Sequence, residues 1–383
     1  MSKILILGAG FGGLSTATEL AGSLDGTHEI ILIDRADNFS MGLRKAWALF
    51  GMGTIADGTR SRRSLRQPAI RFMRGEIESV DPNARTASVD GQTLSGDYLV
   101  IALGAQARPD LVPGLSEHGH NAWDRNRISG LKDALERFAG GRIAVVIAGA
   151  PYPCPPAPYE LAMLLGEWLE ARGRRERTQL SVTTLQPLLL PAAGKMGSDW
   201  LAAQLGARRI TFAAGRTVER VEPNAVVFRD GALEFDILIA VPPHRVPAVV
   251  KSSGLTGDGD WIDVNPQTLA TRFENVFAIG DVTQIRLANG LMLPKAGLIA
   301  ELEGRAVAAA IANELKGTQA PAAFDGRAYC FLETGISAVS LIDGNFYTRP
   351  EPQVAVREPS PASAQAKREF ERERLARWFK PVA

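Results

Sequence analysis

A glycine-rich turn close to the start of the chain constrains the fold more than any other feature. The apolar run Lys3–Leu7 is typical of a buried parallel strand, and a helix is predicted from Leu14 to about Ser23. Between them, Gly8, Gly10 and Gly13 fit the spacing G-x-G-x-x-G. In that spacing the first glycine permits a tight turn, the second lets the backbone approach a pyrophosphate, and the third allows close helix–strand packing. The helix N-terminus then supplies N–H donors to the phosphates.

The residue that ends the second predicted strand supports the same interpretation. Asp34 follows the strand Glu29–Ile33, at a place where a carboxylate accepts hydrogen bonds from ribose hydroxyls. Gly12 lies inside the glycine loop and is counted among the expected contacts of the cofactor. The order strand, glycine loop, helix, strand and acid therefore predicts a dinucleotide-binding unit.

Two later segments indicate which dinucleotide is bound. The segment Tyr98–Ala105, which contains Gly104, resembles the strand-then-glycine motif of flavoproteins with two dinucleotide-binding domains. The segment Asn275–Asp281 resembles their second FAD motif, in which Asp281 after Gly280 would bond the ribityl chain. These resemblances imply FAD as the cofactor.

Length, charge and hydropathy narrow the class of protein. The 383 residues are enough for two to three domains at about 150 residues each. The net charge is +1, so nothing global indicates a nucleic-acid partner. The first apolar run leads directly into the glycine turn without a signal peptide, and no run approaches the ~18 apolar residues of a membrane span. We therefore expect a cytoplasmic protein that binds no nucleic acid and no metal.

Strand and helix segments alternate along the chain, which predicts an α/β fold with parallel sheets. No strand is obvious between residues 39 and 66. A second strand–loop–helix unit opens at Arg142–Ala148, and Asp236–Val241 and Val276–Ile279 are predicted to return the chain to the first unit. The expected architecture is two Rossmann-like domains of the glutathione-reductase type with a small C-terminal α+β unit. The predicted domains are 1–108 with 236–318 for FAD, 109–235 for a second Rossmann-like domain with a degenerate nucleotide site, and 319–383 for the C-terminal unit.

The loop of the second unit lacks the features that a nucleotide needs. The segment Gly149–Glu160 has prolines at positions 151, 153, 155, 156 and 158. Proline has no N–H and fixes φ, so this loop cannot cradle a pyrophosphate through backbone donors. The next strand ends at Gln186 and Pro187 instead of an acid. The second unit is therefore predicted to keep its fold and to have lost NAD(P)H as a substrate.

Two cysteines are the remaining candidates for redox chemistry. Cys154 lies in the proline loop just ahead of a helix predicted from Tyr159, where a thiol is expected to have a lowered pKa. Cys330 lies in a β-rich segment, residues 320–358. The alternative is two unrelated buried thiols, since free cysteine is often buried. In a reducing compartment such a pair is either incidental or catalytic.

The surroundings of Cys154 resemble a known family. The segment Cys154–Glu160 is similar to the signature of sulfide:quinone oxidoreductases and flavocytochrome c sulfide dehydrogenases, and the resemblance extends in order along essentially the whole chain. Other similar segments are Val241–His244, Ser253–Leu255, Leu293–Gly297 and the neighbourhood of Cys330. The resemblance implies that Cys154 and Cys330 straddle the flavin as a redox-active disulfide pair and carry sulfane sulfur. It further implies that sulfide is oxidised and that electrons pass through FAD to a quinone.

Three departures from that family bear on the cofactor and the acceptor. The chain has no third cysteine upstream of Cys154, which many quinone-reducing members have. The first long loop, Asn38–Leu43, offers no cysteine for a covalent bond, so noncovalent FAD is expected. The segment Ala362–Lys380 is charged, and we expect a solvated helix with a short apolar end. The acceptor therefore stays open between a quinone and cytochrome c, and a noncatalytic redox sensor is the alternative outside enzymes. Peripheral contact with the inner face of the membrane and a homodimer are both compatible with the sequence.

Several charged side chains are candidates for supporting roles. Glu160 is a candidate proton-handling group beside Cys154, with a helix acid favoured by the dipole as the alternative. Lys295, just before a helix predicted over Ala296–Leu315, is expected to hold negative charge at the flavin. His244 follows a strand and is not expected to be catalytic. The arginines at 60, 62, 63 and 66 are expected to form a solvated face.

Overall fold

The computed structural model describes residues 1–382. Its helices are α1 (Phe11–Ser23), α2 (Arg44–Leu49), α3 (Leu115–His118), α4 (Ile128–Arg137), α5 (Ala157–Glu170), α6 (Gly194–Ala207), α7 (Ala248–Ser252), α8 (Gly297–Lys316) and α9 (Pro361–Trp378). In this part of the chain no helix combines the length and the apolar composition that crossing a membrane requires.

The strands are short and most lie in the first two thirds of the chain. The first ten are β1 (Lys3–Leu7), β2 (Glu29–Asp34), β3 (Asn38–Ser40), β4 (Thr59–Ser61), β5 (Ile70–Arg74), β6 (Ile77–Asp81), β7 (Thr86–Val89), β8 (Gln92–Ser95), β9 (Tyr98–Ile101) and β10 (Gln106–Ala107). The others are β11 (His120–Asn121), β12 (Gly141–Ile147), β13 (Thr178–Thr184), β14 (Ile210–Ala213), β15 (Val218–Glu222), β16 (Ala225–Phe228), β17 (Gly231–Glu234), β18 (Ile237–Val241), β19 (His244–Arg245), β20 (Ile262–Asp263), β21 (Val276–Ala278), β22 (Thr283–Gln284), β23 (Arg327–Gly335), β24 (Ala338–Asn345) and β25 (Gln353–Val356).

Two parallel five-stranded sheets form the body of the molecule. The first has the order β21-β9-β1-β2-β5 and the second the order β11-β18-β12-β13-β14. Residues Ile4–Leu7 of the central strand β1 are completely buried, as expected for a parallel sheet with helices on both faces. In each sheet the central strand runs into a loop and a helix, β1 into α1 and β12 into α5. The predicted α/β fold with two Rossmann-like sheets is confirmed.

One predicted strand belongs to a different sheet from the one expected. The sequence assigns the segment around Ile237–Val241 to the FAD unit, but β18 pairs in parallel with β12 over Ile143–Ile147. A buried parallel strand is a run of aliphatic residues in either sheet, so composition does not say which sheet it joins. The return to the first sheet is made by β21, which pairs with β9.

The stretch from residue 39 to residue 66 is more regular than predicted. It contains α2 and the antiparallel pair β3–β4. Arg62 is not part of a solvated face, because its side chain is buried and donates hydrogen bonds to the carbonyls of Ala9, Ala36 and Asn38. The expectation for Arg62 is therefore wrong, since three backbone acceptors compensate for its burial.

The C-terminal unit consists of the antiparallel sheet β23-β24-β25 and the long helix α9. The expectation of a solvated terminal helix is wrong for its charged part, because charged side chains of α9 point into the protein, whereas the apolar end packs as expected, with Leu375, Trp378 and Phe379 buried. Glu371 pairs with Arg44 of α2 at 2.7 Å, Arg374 pairs with the buried Glu301 of α8 at 2.9 Å, and Arg377 pairs with Glu19 of α1. Partners on three other helices therefore hold the terminal helix to the body.

Candidate active site

The glycine turn has the shape that a pyrophosphate requires. A Cβ added to Gly8 would lie 2.3 Å from the Ala102 carbonyl oxygen, and one added to Gly13 would lie 1.8 Å from the Gly8 carbonyl oxygen. A Cβ added to Gly12 would lie 2.9 Å from the Ile279 side chain. Gly10, in contrast, faces open space, and no side chain caps the N-terminus of α1 behind it. The uncapped N–H groups of the first turn are available to an anion, so these residues fit the phosphates of FAD.

Asp34 lies at the end of β2, as predicted, beside the glycine turn. Its two carboxylate oxygens accept hydrogen bonds from the backbone N–H groups of Ala9 at 2.8 Å and Ala36 at 2.9 Å. Arg62 adds an ion pair at 3.3 Å. The carboxylate therefore fixes the loop after β1 to the end of β2, and its role toward a ribose stays a prediction.

A second group of predicted cofactor residues lies between β21 and α8. Gly280 has a φ of +74° and donates its N–H to the buried Glu303 at 2.6 Å. Burial raises the pKa of Glu303 to about 8 and also raises the pKa of Asp281. Within residues 1–382 the Asp281 carboxylate accepts no hydrogen bond from protein, which leaves it free for a ligand hydroxyl. Gly104 has a φ of +65° and faces open space after β9.

Lys295 is a buried cation at this junction. Its Nζ donates to the carbonyl oxygens of Asp281 at 2.7 Å and Thr283 at 2.9 Å, and it lies 3.7 Å from the ring centre of Trp261. Burial lowers the pKa of Lys295 to about 8. Its own carbonyl accepts the backbone N–H of Cys154 at 2.7 Å. Lys295 therefore joins the segment before α8 to the loop that carries the cysteine.

The loop before α5 holds Cys154 in an unusual conformation. Cys154 has a φ of +59°, a region that residues other than glycine rarely adopt. Two cross-links fix the loop on either side: the N–H of Cys154 is bound by Lys295, and the Pro153 carbonyl accepts the indole N–H of Trp123 at 3.0 Å. Backbone strain of this kind persists only when the surroundings enforce it, and it is found at functional sites.

The structure brings Cys154 and Cys330 together. Both cysteines are free, and no disulfide joins them. The neighbouring Cys330 thiol, together with burial, raises the pKa of the Cys154 thiol well above its usual range. The Cys154 thiol in turn lowers the pKa of Cys330. The expectation of a lowered pKa for Cys154 is therefore wrong, because the neighbouring sulfur and burial both raise it.

A largely apolar cavity of about 420 Å³ adjoins Cys330. The proline loop, the segment before α8 and the C-terminal sheet all contribute to its wall, represented by Pro155, Leu293, Phe346 and Val354. Polar groups at the wall include Arg286 and Lys295. The cavity is large enough for an organic molecule, which is the usual size range of small-molecule sites.

Glu160 belongs to a buried set of charges that the sequence did not predict. The Lys367 ammonium forms ion pairs with Glu160 and with Glu333, the latter at 2.9 Å. The N–H of Glu333 donates to Glu160 at 3.2 Å, and the indole N–H of Trp47 donates to Glu333 at 2.7 Å. Glu333 lies on β23 and Lys367 lies on α9. The only sequence signals were the position of Glu333 close to Cys330 and the charged run that contains Lys367.

The loop after β12 packs closely against the segment after β18. A Cβ on Gly149 would lie 2.4 Å from the Cα of Pro243, so the segment after β18 covers the place where the loop leaves β12. His244 follows in the same segment and is buried, with its Nδ1 2.9 Å from the Pro242 carbonyl oxygen. Burial lowers the pKa of His244 to about 4. Packing at Pro243 thus adds to the loss of N–H donors in the proline loop.

Comparison with known proteins places this geometry in a family. The sequence matches the family model described as pyridine nucleotide-disulphide oxidoreductase over residues 2–296. It is 26% identical over 375 residues to the sulfide-quinone reductase of Aquifex aeolicus, an alignment that covers 91% of this chain and 83% of that protein. The mitochondrial sulfide:quinone oxidoreductase of mouse is 23% identical, with 91% and 79% covered. A type II NADH:quinone oxidoreductase of Staphylococcus saprophyticus is 22% identical, with 82% and 83% covered.

A solved structure agrees with the sequence comparison. The X-ray structure of the sulfide:quinone oxidoreductase from Aquifex aeolicus superposes with a TM-score of 0.88 at 23% sequence identity. The superposition covers 97% of this chain and 90% of that one, including the C-terminal unit beyond residue 296. At this identity the likeness establishes the fold. The chain therefore belongs to the pyridine nucleotide-disulphide oxidoreductase family and is a flavin-dependent oxidoreductase.

Proposed function

We propose that this protein oxidises sulfide to sulfane sulfur through Cys154 and Cys330, with noncovalently bound FAD, and passes the electrons to a quinone. The observation that carries the proposal is that two cysteines far apart in the sequence affect one another. They come from a loop of the second Rossmann-like unit and from the C-terminal sheet, yet each perturbs the pKa of the other. Relatives named as sulfide:quinone oxidoreductases, aligned over nine tenths of the chain, support the same reaction.

The two thiols suit sulfur transfer. Hydrosulfide attacks one sulfur of the oxidised pair, the S–S bond breaks, and one cysteine becomes a persulfide while the other leaves as a thiolate. We assign the persulfide to Cys154 and the leaving thiolate to Cys330, whose pKa lies below its usual range in the reduced pair. FAD, when bound, supplies the acceptor for the electron pair that the sulfide brings.

Residues around the glycine turn and α8 would hold the cofactor. Gly10 and the first turn of α1 suit the phosphates, and the free carboxylate of Asp281 suits a ribityl hydroxyl. Lys295 and the N-terminus of α8 would stabilise negative charge on a bound ligand. Because Lys295 also binds the backbone of Cys154, the same residue would fix the cysteine loop relative to the cofactor.

The quinone is proposed from the relatives and the cavity. Proteins named as sulfide:quinone, demethylphylloquinone and NADH:quinone oxidoreductases all align with most of this chain. The cavity beside Cys330 is apolar and large enough for a ring-bearing molecule. Cytochrome c is the second candidate acceptor, and the rate at which each acceptor reoxidises the reduced flavin separates the two.

The test is anaerobic stopped-flow reduction of the flavin by sulfide. Wild type is expected to bleach with sulfide and to regain its colour with a ubiquinone analogue faster than with cytochrome c. Cys154→Ser and Cys330→Ser are each expected to abolish bleaching by sulfide and to keep full FAD content, and the double variant should be no worse than either one. Bleaching of every variant by dithionite is the control for a competent flavin. Sulfide-dependent bleaching that survives in either serine variant would contradict the proposal.

Electron donation by NADH is the competing function, since one relative is named as a type II NADH:quinone oxidoreductase. The proline loop and the packing of Pro243 against Gly149 argue against it. Rapid bleaching by NADH in the same instrument would favour that function over sulfide oxidation.

A further inference from the structure

Three buried charged side chains lie together, and two of them come from the segments that carry the cysteines. Glu160, Glu333 and Lys367 are 6%, 3% and 5% exposed. They come from the first turn of α5, from β23 and from α9, so three separate parts of the chain meet at one ammonium group. No other ion pair in residues 1–382 has two carboxylates and a lysine that are all buried to this degree.

The charges of this set do not balance when all three groups are ionised. Two carboxylates and one ammonium leave an excess negative charge, and an uncompensated buried charge is strongly unfavourable. One carboxylate must therefore hold a proton. Burial raises the pKa of Glu160 well above its usual range. Glu333 accepts the indole N–H of Trp47 as well as the charge of Lys367, and these contacts overcome burial and lower its pKa.

Two members of the set lie on the same stretches of chain as the two thiols. Glu333 follows Cys330 by three residues on β23, and Glu160 follows Cys154 by six residues across the start of α5. The positive charge of Lys367 lowers the pKa of both Cys154 and Cys330. A negative charge on Glu160 has the opposite effect on Cys330. The protonation of the carboxylates and the charge of the sulfurs are therefore linked.

We propose that Lys367 of the C-terminal helix is a positioning residue for the cysteine pair: it holds Glu160 and Glu333 in one buried set that stores a single proton for the sulfurs. The inference rests on the proposed function for its use of that proton. When hydrosulfide opens the disulfide, the S–S bond breaks and the other cysteine leaves as a thiolate, which then takes the proton from Glu160. Hydrosulfide, the disulfide and the protonated carboxyl become a persulfide, a thiol and a carboxylate, so that atoms and charge balance. Lys367 then neutralises the new carboxylate.

A structural role for Lys367 is the alternative, because the other ion pairs of α9 only hold the helix in place. Arg374 offers a matched control, since it also forms a buried pair from α9, with Glu301, which is 1% exposed. Lys367→Met removes the cation shared by Glu160 and Glu333, whereas Arg374→Met removes one of the two arginines paired with Glu301. Only the first removes a charge that acts on the thiols.

The experiment measures the alkylation of Cys154 and Cys330 by iodoacetamide against pH. The reduced holoprotein is used, and each cysteine is followed by mass spectrometry of its peptide. Lys367→Met is expected to slow alkylation of Cys330 at neutral pH by about threefold or more, because each unit rise in thiol pKa removes about nine tenths of the thiolate. Lys367→Arg and Arg374→Met are expected to match wild type within about twofold. If Cys330 in Lys367→Met is alkylated at the wild-type rate, Lys367 only holds the C-terminal helix in place and the inference is wrong.

A second variant tests the stored proton and does not depend on the folding of Lys367→Met. Glutamine has the shape of a protonated glutamate, so Glu160→Gln is expected to leave the rate at Cys330 near that of wild type. A rise of about tenfold would mean that Glu160 is ionised in the wild type and that the set stores no proton, which overturns the inference. Neither measurement uses sulfide. Failure of this inference therefore differs from failure of sulfide oxidation, which appears as the loss of bleaching in stopped flow.

Discussion

The glycine turn makes a sharp prediction about α1, because the same helix contains a tightly packed glycine and a free one. A Cβ at Gly13 would lie 1.8 Å from the Gly8 carbonyl oxygen, whereas a Cβ at Gly22 would meet nothing within 4 Å. Real Cβ contacts essentially never fall below 3.0 Å, so Gly13→Ala must push the start of α1 away from β1. Gly22→Ala uses the same substitution on the same helix without that clash.

The expected magnitudes have opposite signs. Overpacking of this kind costs about 1–3 kcal/mol, and here the obstacle is backbone, which cannot rotate away as a side chain can. Gly22→Ala is expected to stabilise by up to about 1 kcal/mol, the helix-propensity difference between glycine and alanine. The two variants should therefore differ by roughly 1–4 kcal/mol in the free energy of unfolding. Gly13→Ala should also lose FAD, since the displaced turn would no longer present its N–H groups to the phosphates.

The assay combines denaturant unfolding of both variants with the absorbance of FAD released per protein. Gly22→Ala should keep wild-type FAD content and a midpoint at or above that of wild type. Equal midpoints and equal FAD contents for the two variants would refute the packing argument and, with it, the assignment of this turn to the cofactor.

Three further outcomes are expected. Acid precipitation of the yellow protein should release free FAD, because Asn38–Leu43 has no cysteine for a covalent bond, and flavin retained in the pellet would contradict this. NADH and NADPH should bleach the flavin poorly, because prolines and Pro243 close the second nucleotide loop, and fast bleaching at micromolar nucleotide would show that the loop still binds. Burial lowers the pKa of His244 to about 4 in the folded protein, so the unfolded chain takes up a proton at a higher pH than the folded one does. The contribution of His244 to the free energy of unfolding is therefore constant above pH ~6.5 and falls by roughly 3 kcal/mol as the pH drops to 4. His244→Gln should flatten that part of the acid unfolding curve, and an unchanged slope would assign the acid loss to other groups.

The sequence predicts those parts of the molecule in which local pattern and packing agree. The strand Lys3–Leu7 matches its predicted bounds, and the helices after it and before the C-terminal sheet differ from prediction by only a few residues. The strand is buried and its hydrophobic run Ile4–Leu7 is unbroken, whereas the helices have apolar residues at helical spacing. Glycine and proline mark the turns between them, because each restricts or frees the backbone in a way that other residues do not.

The failures share a cause, which is that the deciding contact comes from a distant part of the chain. The strand around Ile237–Val241 has the composition of either parallel sheet, and only its pairing with β12 assigns it. The pKa of Cys154 follows from Cys330, and the charged run near Lys367 turns inward because Glu160 and Glu333 are there. Local secondary-structure propensity carries no information about such distant partners.

The pairing of β21 with β9 has a consequence for how the protein is made. The first sheet begins with β1 but lacks its edge strand until Val276–Ala278 is synthesised, after the whole second unit has left the ribosome. Domains generally fold during synthesis in the order in which they emerge. Here the second unit, which lies between the two halves of the first, can fold while the first is still incomplete. The nascent chain therefore gains a complete cofactor cradle only once α8 has emerged. Lys367 joins Glu160 and Glu333 later still, so this buried set of charges is completed after the cofactor cradle.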